Sequence, residues 1–432
     1  MEDFSREKKI CLVSTVVLAG FAASVFFHYI KAFYMQLPYP HNTFLLPPSD
    51  RFNDFFNPYT ANADLDPYLG RARLSAQYPV INMLFYFFSL LPRTFSFMLY
   101  SSIFILSFLF FNYRNLSSGN SGEDLINTFV FSFMTYPFLL TVDRGNVEGL
   151  LCILLLSFMH FFRQKKYLVS SVILSVAVAV KLFPIILATL FIDEKKYRYL
   201  FLSILSAVGL TAACLALFRG GFVLNWQHLT LGFNIDSDPA LSSFLGQNNF
   251  VQRGVTLFTF CKVLFVKTGV IEMIDMSVFL KIYKVATTLL SVLLAGYILL
   301  VEKALWKKAA LLVFAMLLFP PVSADYKLLH LFLPMFLFFN ARAKSRADVF
   351  YALAFGLLLI PKDYYLLSDI MSDALTYDIS IAVLLNPIIM LVVGVLIISE
   401  GLRALQPGEL NRNAVRYYED LKGIPSSAAK AA

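Results

Sequence analysis

The sequence of 432 residues has the composition of a membrane protein with several spans, because 58% of its residues are hydrophobic and only 15% are charged. A soluble domain averages roughly 45–50% apolar and about 25% charged residues, so a soluble globular protein is excluded. The net charge of +8 comes from short basic clusters between apolar stretches. This pattern is a signal of membrane topology and argues against a nucleic-acid partner.

The first apolar stretch predicts an uncleaved membrane helix with a cytoplasmic start. It runs from Ile10 to about Tyr29, follows the basic segment 1–9 and contains no cleavage site of small residues. The positive-inside rule places each later basic cluster in the cytoplasm as well. These clusters are Arg163–Lys166, Lys195–Arg198, Lys303–Lys308, Arg342–Arg346 and the tail from Arg403 to Lys422.

Threading the chain between these clusters defines the remaining elements. Lys31–Gln77 then lies outside, and Val80–Leu91 is too short to span, so we expect it in the outer interface. The predicted crossings are Thr94–Phe111, Leu125–Leu140, Val147–Phe162, Tyr199–Phe218, Ile282–Val301, Ala309–Phe319, Leu328–Phe339, Val349–Ile360 and Ile379–Ile398. The predicted connections include the cytoplasmic turn Asn112–Glu123, the outer loop Arg219–Asn249 and the interfacial segment Phe250–Asp275.

The segment Tyr167–Ile192 has basic clusters at both ends and Lys181 near its middle. As one long helix it would bury a lysine at mid-membrane and violate the positive-inside rule at one end. Two arms of about a dozen residues, meeting at Lys181–Pro184, avoid both problems. The alternative is a bent helix whose lysine extends to the interface.

The resulting fold prediction is an all-α, polytopic integral membrane protein with about 12 transmembrane helices, some of them short, and interfacial helices on the outer face. We expect one multi-spanning domain over residues 1–402, with an outer loop over 31–93, and a disordered cytoplasmic tail over 403–432. Both termini are then cytoplasmic. The four cysteines lie far apart without ligand spacing, which predicts neither a disulfide nor a metal site.

Polar residues gather at one predicted face of this membrane protein. The stretches Ser49–Asn57 and Asp143–Glu148, Lys181 and the turn 325–330 all fall on the extracytoplasmic side. A charge at bilayer depth costs about 2.5–3.5 kcal/mol on insertion scales, so such residues indicate a functional site. A further polar loop, 234–253, lies on the same side.

Carboxylates and cations at one face suit group transfer from a lipid phosphate. A sugar on a phosphate already has a good leaving group, so the enzyme needs one base for the acceptor hydroxyl and cations for the departing phosphate. The candidate bases are Asp54 and Asp50. The candidate residues for the donor phosphate and the substrates are Arg51, Arg144, Asn146, Lys181, Gln247, Asn248, Arg253, Asp325, Tyr326, Lys327 and His330.

Each of these side chains also has a purely structural interpretation, and the sequence leaves these alternatives open. They are a helix cap for Asp50 or Asp54, an ion pair of Arg144 with Asp143 or Glu148, mutual neutralisation of Asp325 and Lys327, and packing for His330.

The order of these motifs resembles family 87 of the GT-C glycosyltransferases, which are similar to bacterial mannosyltransferases that use polyprenyl-phosphate mannose. The resemblance covers most of Phe44–Pro334. It is carried by Asp54-Phe-Phe-Asn57-Pro-Tyr59, Tyr78-Pro79, Arg144-Gly-Asn146, Lys181-Leu-Phe-Pro184, Gln247-Asn248-Asn249 and Pro320-Pro-Val-Ser-Ala-Asp325-Tyr326-Lys327. It implies a GT-C fold and transfer by inverting direct displacement, commonly without a bound metal.

The resemblance also assigns individual positions. The family's catalytic aspartate falls on Asp54, its Gly-Gln-x-Asn-like turn on 144–146, and its Lys-x-x-Pro element on Lys181 and Pro184. The chain departs from the pattern at Arg144, where a Gly-Gln beginning is usual, and at Asn248-Asn249, where Asn-Gln-Ser is usual. These departures leave the donor sugar open.

The sequence therefore predicts a hexosyltransferase, with mannose as the first choice of sugar, in the inner (plasma) membrane of a bacterium. Its partners would be a polyprenyl-phosphate-sugar donor, a glycan or glycolipid acceptor on the extracytoplasmic side and membrane lipids, with no cofactor. Two alternatives stay open. One is a polymerase or ligase of lipid-linked oligosaccharides, and the other is a flippase or transporter of lipid-linked sugars.

Overall fold

The computed structural model describes residues 5–68, 78–232, 254–270, 273–341, 347–365, 369–371, 375–377 and 379–405. The first half of this chain contains the helices α1 (Arg6–Tyr29), α2 (Asn53–Ala61), α3 (Pro79–Ser89), α4 (Arg93–Leu116), α5 (Ser121–Phe133), α6 (Tyr136–Arg144), α7 (Glu148–Arg163), α8 (Tyr167–Val180), α9 (Thr189–Asp193) and α10 (Tyr197–Leu217). The second half contains α11 (Gly221–Gly232), α12 (Leu257–Lys267), α13 (Met276–Leu300), α14 (Leu305–Leu318), α15 (Phe332–Phe339), α16 (Asp348–Leu359) and α17 (Ala382–Ala404).

The remaining regular elements are short. A π-helical segment, Ile30–Tyr34, continues α1, and 3₁₀ helices cover Pro48–Asp50, Phe183–Ala188 and Asp325–Leu331. Two strands, β1 (Asp369–Met371) and β2 (Leu375–Tyr377), pair antiparallel.

The fold is that of an integral membrane protein built from helices. Within the described ranges, five helices are long and apolar enough to cross a membrane, namely α1 with its π-helical extension, α4, α10, α13 and α17. The pair α5 and α6 would make a sixth span, bent by 55°. The predicted all-helical membrane fold is confirmed apart from the two short strands, whereas the number of about 12 crossings stays a prediction.

The centre of the bundle is formed by the most completely apolar helices. Every residue of α15 is buried, and α14 is buried from Lys308 to its end. The outer helices instead expose large apolar side chains, for example Phe26 on α1, Leu205 on α10 and Leu293 on α13. A helix that is apolar on both its inner and its outer side is expected when the surrounding solvent is lipid.

Three predicted segments differ from the structure. The span Leu125–Leu140 is two helices, because Pro137 occupies the first turn of α6, where a missing N–H is tolerated but the preceding helix cannot continue. The turn predicted over Asn112–Glu123 is only the stretch 117–120, since α4 continues to Leu116. The predicted outer loop Arg219–Asn249 also contains α11.

Two predicted local features are confirmed. The segment Tyr167–Ile192 breaks at Lys181, which is extended with φ −148° and ψ 135°, and two short arms, α8 and the pair of the 3₁₀ helix with α9, flank this break. A short helix also occupies the predicted interfacial stretch Val80–Leu91, as α3. The predicted tail beyond residue 405 lies outside the described residues.

Candidate active site

The centre of the candidate site is the carboxylate of Asp54 on α2. Arg144 at the end of α6 donates to it from two nitrogens, Nε to Oδ2 at 2.5 Å and Nη2 to Oδ1 at 2.5 Å. The side-chain amide of Asn146 donates to the same Oδ2 at 2.5 Å. This two-pronged arginine geometry fixes both the position and the plane of a carboxylate. The side chains of Asp54 and Arg144 are 22% and 30% exposed, so solvent reaches the pair.

The turn after α6 brings Arg144 and Asn146 to the same carboxylate. Gly145 ends the helix in the left-handed conformation, with φ +64°, and a Cβ at this position would lie 2.9 Å from Cβ of Phe55. A helix that ends in this way needs glycine, because other residues are strained at such a φ. The sequence Arg-Gly-Asn therefore encodes a sharp reversal with one polar side chain on each side of it.

Asp143 ties the outer loop to the same turn. Its carboxylate accepts from the backbone N–H of Leu46 at 2.8 Å and lies 3.3 Å from Nε of Arg51, and its backbone carbonyl accepts from the N–H of Phe52 at 2.8 Å. Phe52 precedes α2 in the left-handed region, with φ 59°. This conformation is costly for a bulky residue and is held here by contacts with the turn, which position Asp54 two residues later.

Two tyrosines face Asn146. Tyr100 on α4 donates from its hydroxyl to the backbone carbonyl of Asn146, and Tyr326 is hydrogen bonded to the Asn146 side chain. The guanidinium of Arg144 lies 6.0 Å from the centre of the Tyr326 ring. Burial, together with the nearby charges of Asp54 and Glu148, raises the pKa of Tyr326 above its usual value. Tyr326 therefore acts as a neutral hydrogen-bonding group in this structure.

A second carboxylate, Glu148 at the start of α7, lies deeper than Asp54. Its side chain is fully buried, and its two oxygens bind Nζ of Lys181 at 2.6 Å and Nε2 of His330 at 2.8 Å. A buried carboxylate needs such partners, because an unpaired charge in the interior is strongly unfavourable. The break of α8 at Lys181 is thus the point at which that lysine reaches Glu148.

Lys327 lies beside this cluster. Its Nζ is 4.7 Å from the centre of the Phe183 ring and 3.5 Å from the backbone carbonyl of Val322. Burial lowers the pKa of Lys327 to about 8, although the charge of Glu148 acts in the opposite direction. Phe183 also contacts His330, with ring centres 5.9 Å apart, so the aromatic ring links the two groups.

The structure brings together most of the predicted site residues. Direct contacts join Asp54, Arg144 and Asn146, while Arg51 pairs with the neighbouring Asp143. Lys181 and His330 meet at Glu148, Lys327 lies near Glu148 and Lys181, and Tyr326 interacts with both Asp54 and Glu148. The predicted convergence of Ser49–Asn57 and Asp143–Glu148 is therefore confirmed as geometry. Arg144 pairs with the carboxylate of Asp54, a partner that the structural alternatives for this arginine did not include.

Some predicted residues lie elsewhere. Asp50 is exposed at the end of a 3₁₀ helix. Asp325 accepts from the side-chain amide of Asn386 on α17 at 3.1 Å and interacts electrostatically with Lys362. The candidates Gln247, Asn248 and Arg253 lie outside the described residues.

Sequence reasoning missed several polar residues around the site. Tyr100 is hidden in an apolar helix, and its role in holding Asn146 carries no signal in the local pattern. Lys362 and Asp363 follow α16 directly, and burial lowers the pKa of Lys362 to about 8. The carboxylate of Asp363 accepts from the hydroxyls of Tyr136 and Ser380. Two adjacent charged residues after an apolar helix were the sequence feature that could have identified Lys362 and Asp363 as functional candidates.

Among the described residues, no three His, Cys, Asp or Glu side chains approach one another closely enough to hold a metal ion. The acids of the site are instead matched by arginine, lysine and histidine. The arrangement can accept a proton at an accessible carboxylate and place cations next to it.

The helical bundle and its cluster of paired charges are those of an integral membrane protein with a candidate polar site. Comparison with known proteins gives its family: the model of glycosyltransferase family 87 matches residues 78–321, more than half of the chain. The chain belongs to this family and is a membrane glycosyltransferase. The expected resemblance to family 87 is confirmed. No curated protein matches the sequence.

Proposed function

We propose that this glycosyltransferase transfers a hexose, with mannose as the first choice, from a polyprenyl-phosphate donor to a glycan or glycolipid acceptor on the extracytoplasmic side of the membrane. Asp54 is the base, and the reaction is an inverting direct displacement. The observation that carries the proposal is the position of a partly exposed carboxylate, Asp54, beside a cluster of cations held by a second, buried carboxylate, Glu148.

The geometry at Asp54 suits a base that takes a proton from a hydroxyl. Each carboxylate oxygen can accept two hydrogen bonds, and Arg144 and Asn146 leave an acceptor position at Oδ1. The side chain is accessible, so an acceptor hydroxyl can reach this position. Arg144 prevents the carboxylate from rotating, which keeps the base in one orientation during the displacement.

The cations next to Asp54 suit the donor phosphate. In the displacement, the acceptor oxygen forms a bond to the anomeric carbon while the bond from that carbon to the phosphate oxygen breaks. The electron pair of the broken bond leaves with the phosphate, and Asp54 receives the hydroxyl proton. Lys181 is 19% exposed and Lys327 lies next to it, so both are placed to stabilise the charge that develops on the phosphate.

Replacing Asp54 with Asn tests the assignment of the base. Asparagine keeps the size of the side chain but cannot take a proton, so transfer by the purified protein from a polyprenyl-phosphate hexose should fall by about 10²–10⁴-fold. Asp50→Asn is the matched control on the exposed part of the same loop and should retain near-normal transfer. Near-normal turnover of D54N, in a protein that still binds the donor, would reject the assignment.

The same reaction separates the rival functions. A polymerase or ligase would leave a single lipid-phosphate sugar unused and require a lipid-linked oligosaccharide. A flippase would move labelled donor across a vesicle membrane without adding mass to an acceptor. Incubation with a series of polyprenyl-phosphate sugars, read by the mass of the acceptor product, identifies the donor sugar.

A further inference from the structure

A second polar pocket lies at the opposite end of the helices that form the active site. Both α4 and α7 contact the site near their first residues, through Tyr100 and Glu148, and both reach the pocket near their last residues, at Arg114 and Arg163. At 1.5 Å per residue the two ends are about 20 Å apart along each helix. The pocket is therefore separate from the proposed site of transfer and does not depend on its assignment.

The mouth of this pocket is basic. It has a volume of about 350 Å³ and is lined by Arg114, Asn115, His160, Arg163, Gln164 and Asn340. Arg6 on α1 closes one side, since it donates to the backbone carbonyl of Asn115 at 2.8 Å and to the side chain of Asn340 at 3.2 Å.

The two arginines of the mouth differ from other cations of the bundle. Within the described part of the chain, no carboxylate lies within ion-pair distance of Arg114 or Arg163. By contrast, Lys9, Lys307 and Lys308 each bind a carboxylate at 2.6–2.8 Å. Two exposed arginines at one pocket, with no acidic partner among the described residues, can pair with an anionic ligand there.

The base of the pocket is apolar. Beneath the mouth, the side chains of Phe111, Leu156, Met159, Leu333, Phe336 and Leu337 line a narrow crevice that shares Arg163, His160 and Asn115 with the mouth. On the outer side of α4, next to Arg114, Phe110 and Tyr113 are 57% and 43% exposed. The ligand of the mouth is thus surrounded by surfaces that favour hydrocarbon.

We propose that this pocket binds an anionic phospholipid, with the phosphate between Arg114 and Arg163 and an acyl chain along the apolar surface of α4. A basic pocket between membrane helices is suited to an acidic headgroup, and each arginine strengthens the attraction to such lipids by about fivefold. A soluble phosphate would satisfy the arginines but would leave the adjoining apolar surface unused, so the combination favours a lipid.

The test measures lipid retention by the purified, full-length protein with native mass spectrometry. The probes are phosphatidylglycerol, phosphatidylcholine and glycerol phosphate, added separately. The variant Arg114→Gln with Arg163→Gln should retain phosphatidylglycerol at least about tenfold more weakly than the wild type. Lys195→Gln with Arg198→Gln removes two exposed basic residues at the start of α10 and should leave retention unchanged.

Each outcome decides the proposal. Selective retention of phosphatidylglycerol that is lost in the arginine variant, and is kept when both arginines are replaced by lysine, supports it. Equal retention by the arginine variant and the wild type overturns it. Equal weakening in the control variant also overturns it, because the effect would then be general charge. Binding of glycerol phosphate as tightly as phosphatidylglycerol would show a small-anion site and likewise reject a lipid. Thermal stability is measured for every variant, and since both arginines are exposed without acidic partners, it should not change.

Discussion

Glu148→Gln is the substitution whose consequence follows most directly from the structure. The side chain is fully buried, and its two oxygens bind the positive end of Lys181 at 2.6 Å and the ring of His330 at 2.8 Å. Glutamine has nearly the same shape but no charge, and its amide nitrogen cannot accept a hydrogen bond. The change therefore leaves Lys181 in the protein interior without its counter-ion.

The expected loss of stability can be worked out from this pair. Removing one partner of a buried ion pair costs about 3–5 kcal/mol in free energy of unfolding. The remaining amide oxygen of glutamine still accepts one hydrogen bond, worth about 1 kcal/mol. Because the Lys181 side chain is 19% exposed and can partly rehydrate, we expect a loss near the lower end, about 3 kcal/mol.

A double-mutant cycle separates this effect from lost packing. Lys181→Met alone leaves Glu148 with His330 only and should also destabilise the protein. The double variant removes both charges of the Glu148–Lys181 pair, so neither is left unpaired. We expect a coupling energy of about 2 kcal/mol between the two positions. The measurement is reversible unfolding in mixed micelles. Glu123→Gln, at an exposed position in the first turn of α5, is the surface control and should stay within about 0.5 kcal/mol of the wild type. Additive effects of E148Q and K181M would refute the reasoning.

Three further predictions concern the active-site turn and its cations. Arg144→Lys keeps the charge but cannot bind both oxygens of Asp54, so kcat/KM should fall about tenfold or more, and an unchanged value would contradict a positioning role for this arginine. Gly145→Ala places a Cβ 2.9 Å from that of Phe55 at a φ of +64° and should lower the free energy of unfolding by about 1–3 kcal/mol relative to the wild type. Gly119→Ala is also strained, at a φ of +95°, but has no atom within 4 Å, so the difference between the two variants measures the contact with Phe55. Lys327 is charged below its pKa of about 8 and neutral above it, so the profile of kcat/KM against pH should fall above pH 8. Lys327→Arg should move that fall to higher pH, and an unmoved profile would assign it to another group.

The sequence predicted the local features of this protein better than its long-range pairs. The break at Lys181 was predictable. This segment has basic clusters at both ends, so one continuous helix would place one cluster on the wrong side of the membrane. The turn at Arg144–Asn146 was predictable from its polarity between apolar helices. The division of Leu125–Leu140 into two helices was missed, although Pro137 was a local signal for it.

The partners of the charged residues were not predictable in the same way. Asp54 and Arg144 are 90 positions apart, and His330 is separated from Glu148 by 182. Polarity at membrane depth shows that each residue needs a partner, but several residues of opposite charge compete for each one. Which pair forms is decided by how the helices pack, as Asp325 shows: it contacts Asn386, 61 positions along the chain, a contact that local spacing does not indicate.

The two carboxylates of the site differ mainly in their surroundings, and this difference supports different proposed roles. Glu148 is fully buried and bound by two side chains, so its charge is committed to holding Lys181 and His330 in place. Asp54 is oriented by Arg144 but remains 22% exposed, so a substrate hydroxyl can reach it. In the proposed mechanism the site holds a phosphate, so one carboxylate has to be kept from repelling that anion, and its burial against Lys181 and His330 does so. The more accessible carboxylate is then free to act as the base, and its arginine keeps it aligned for the attack.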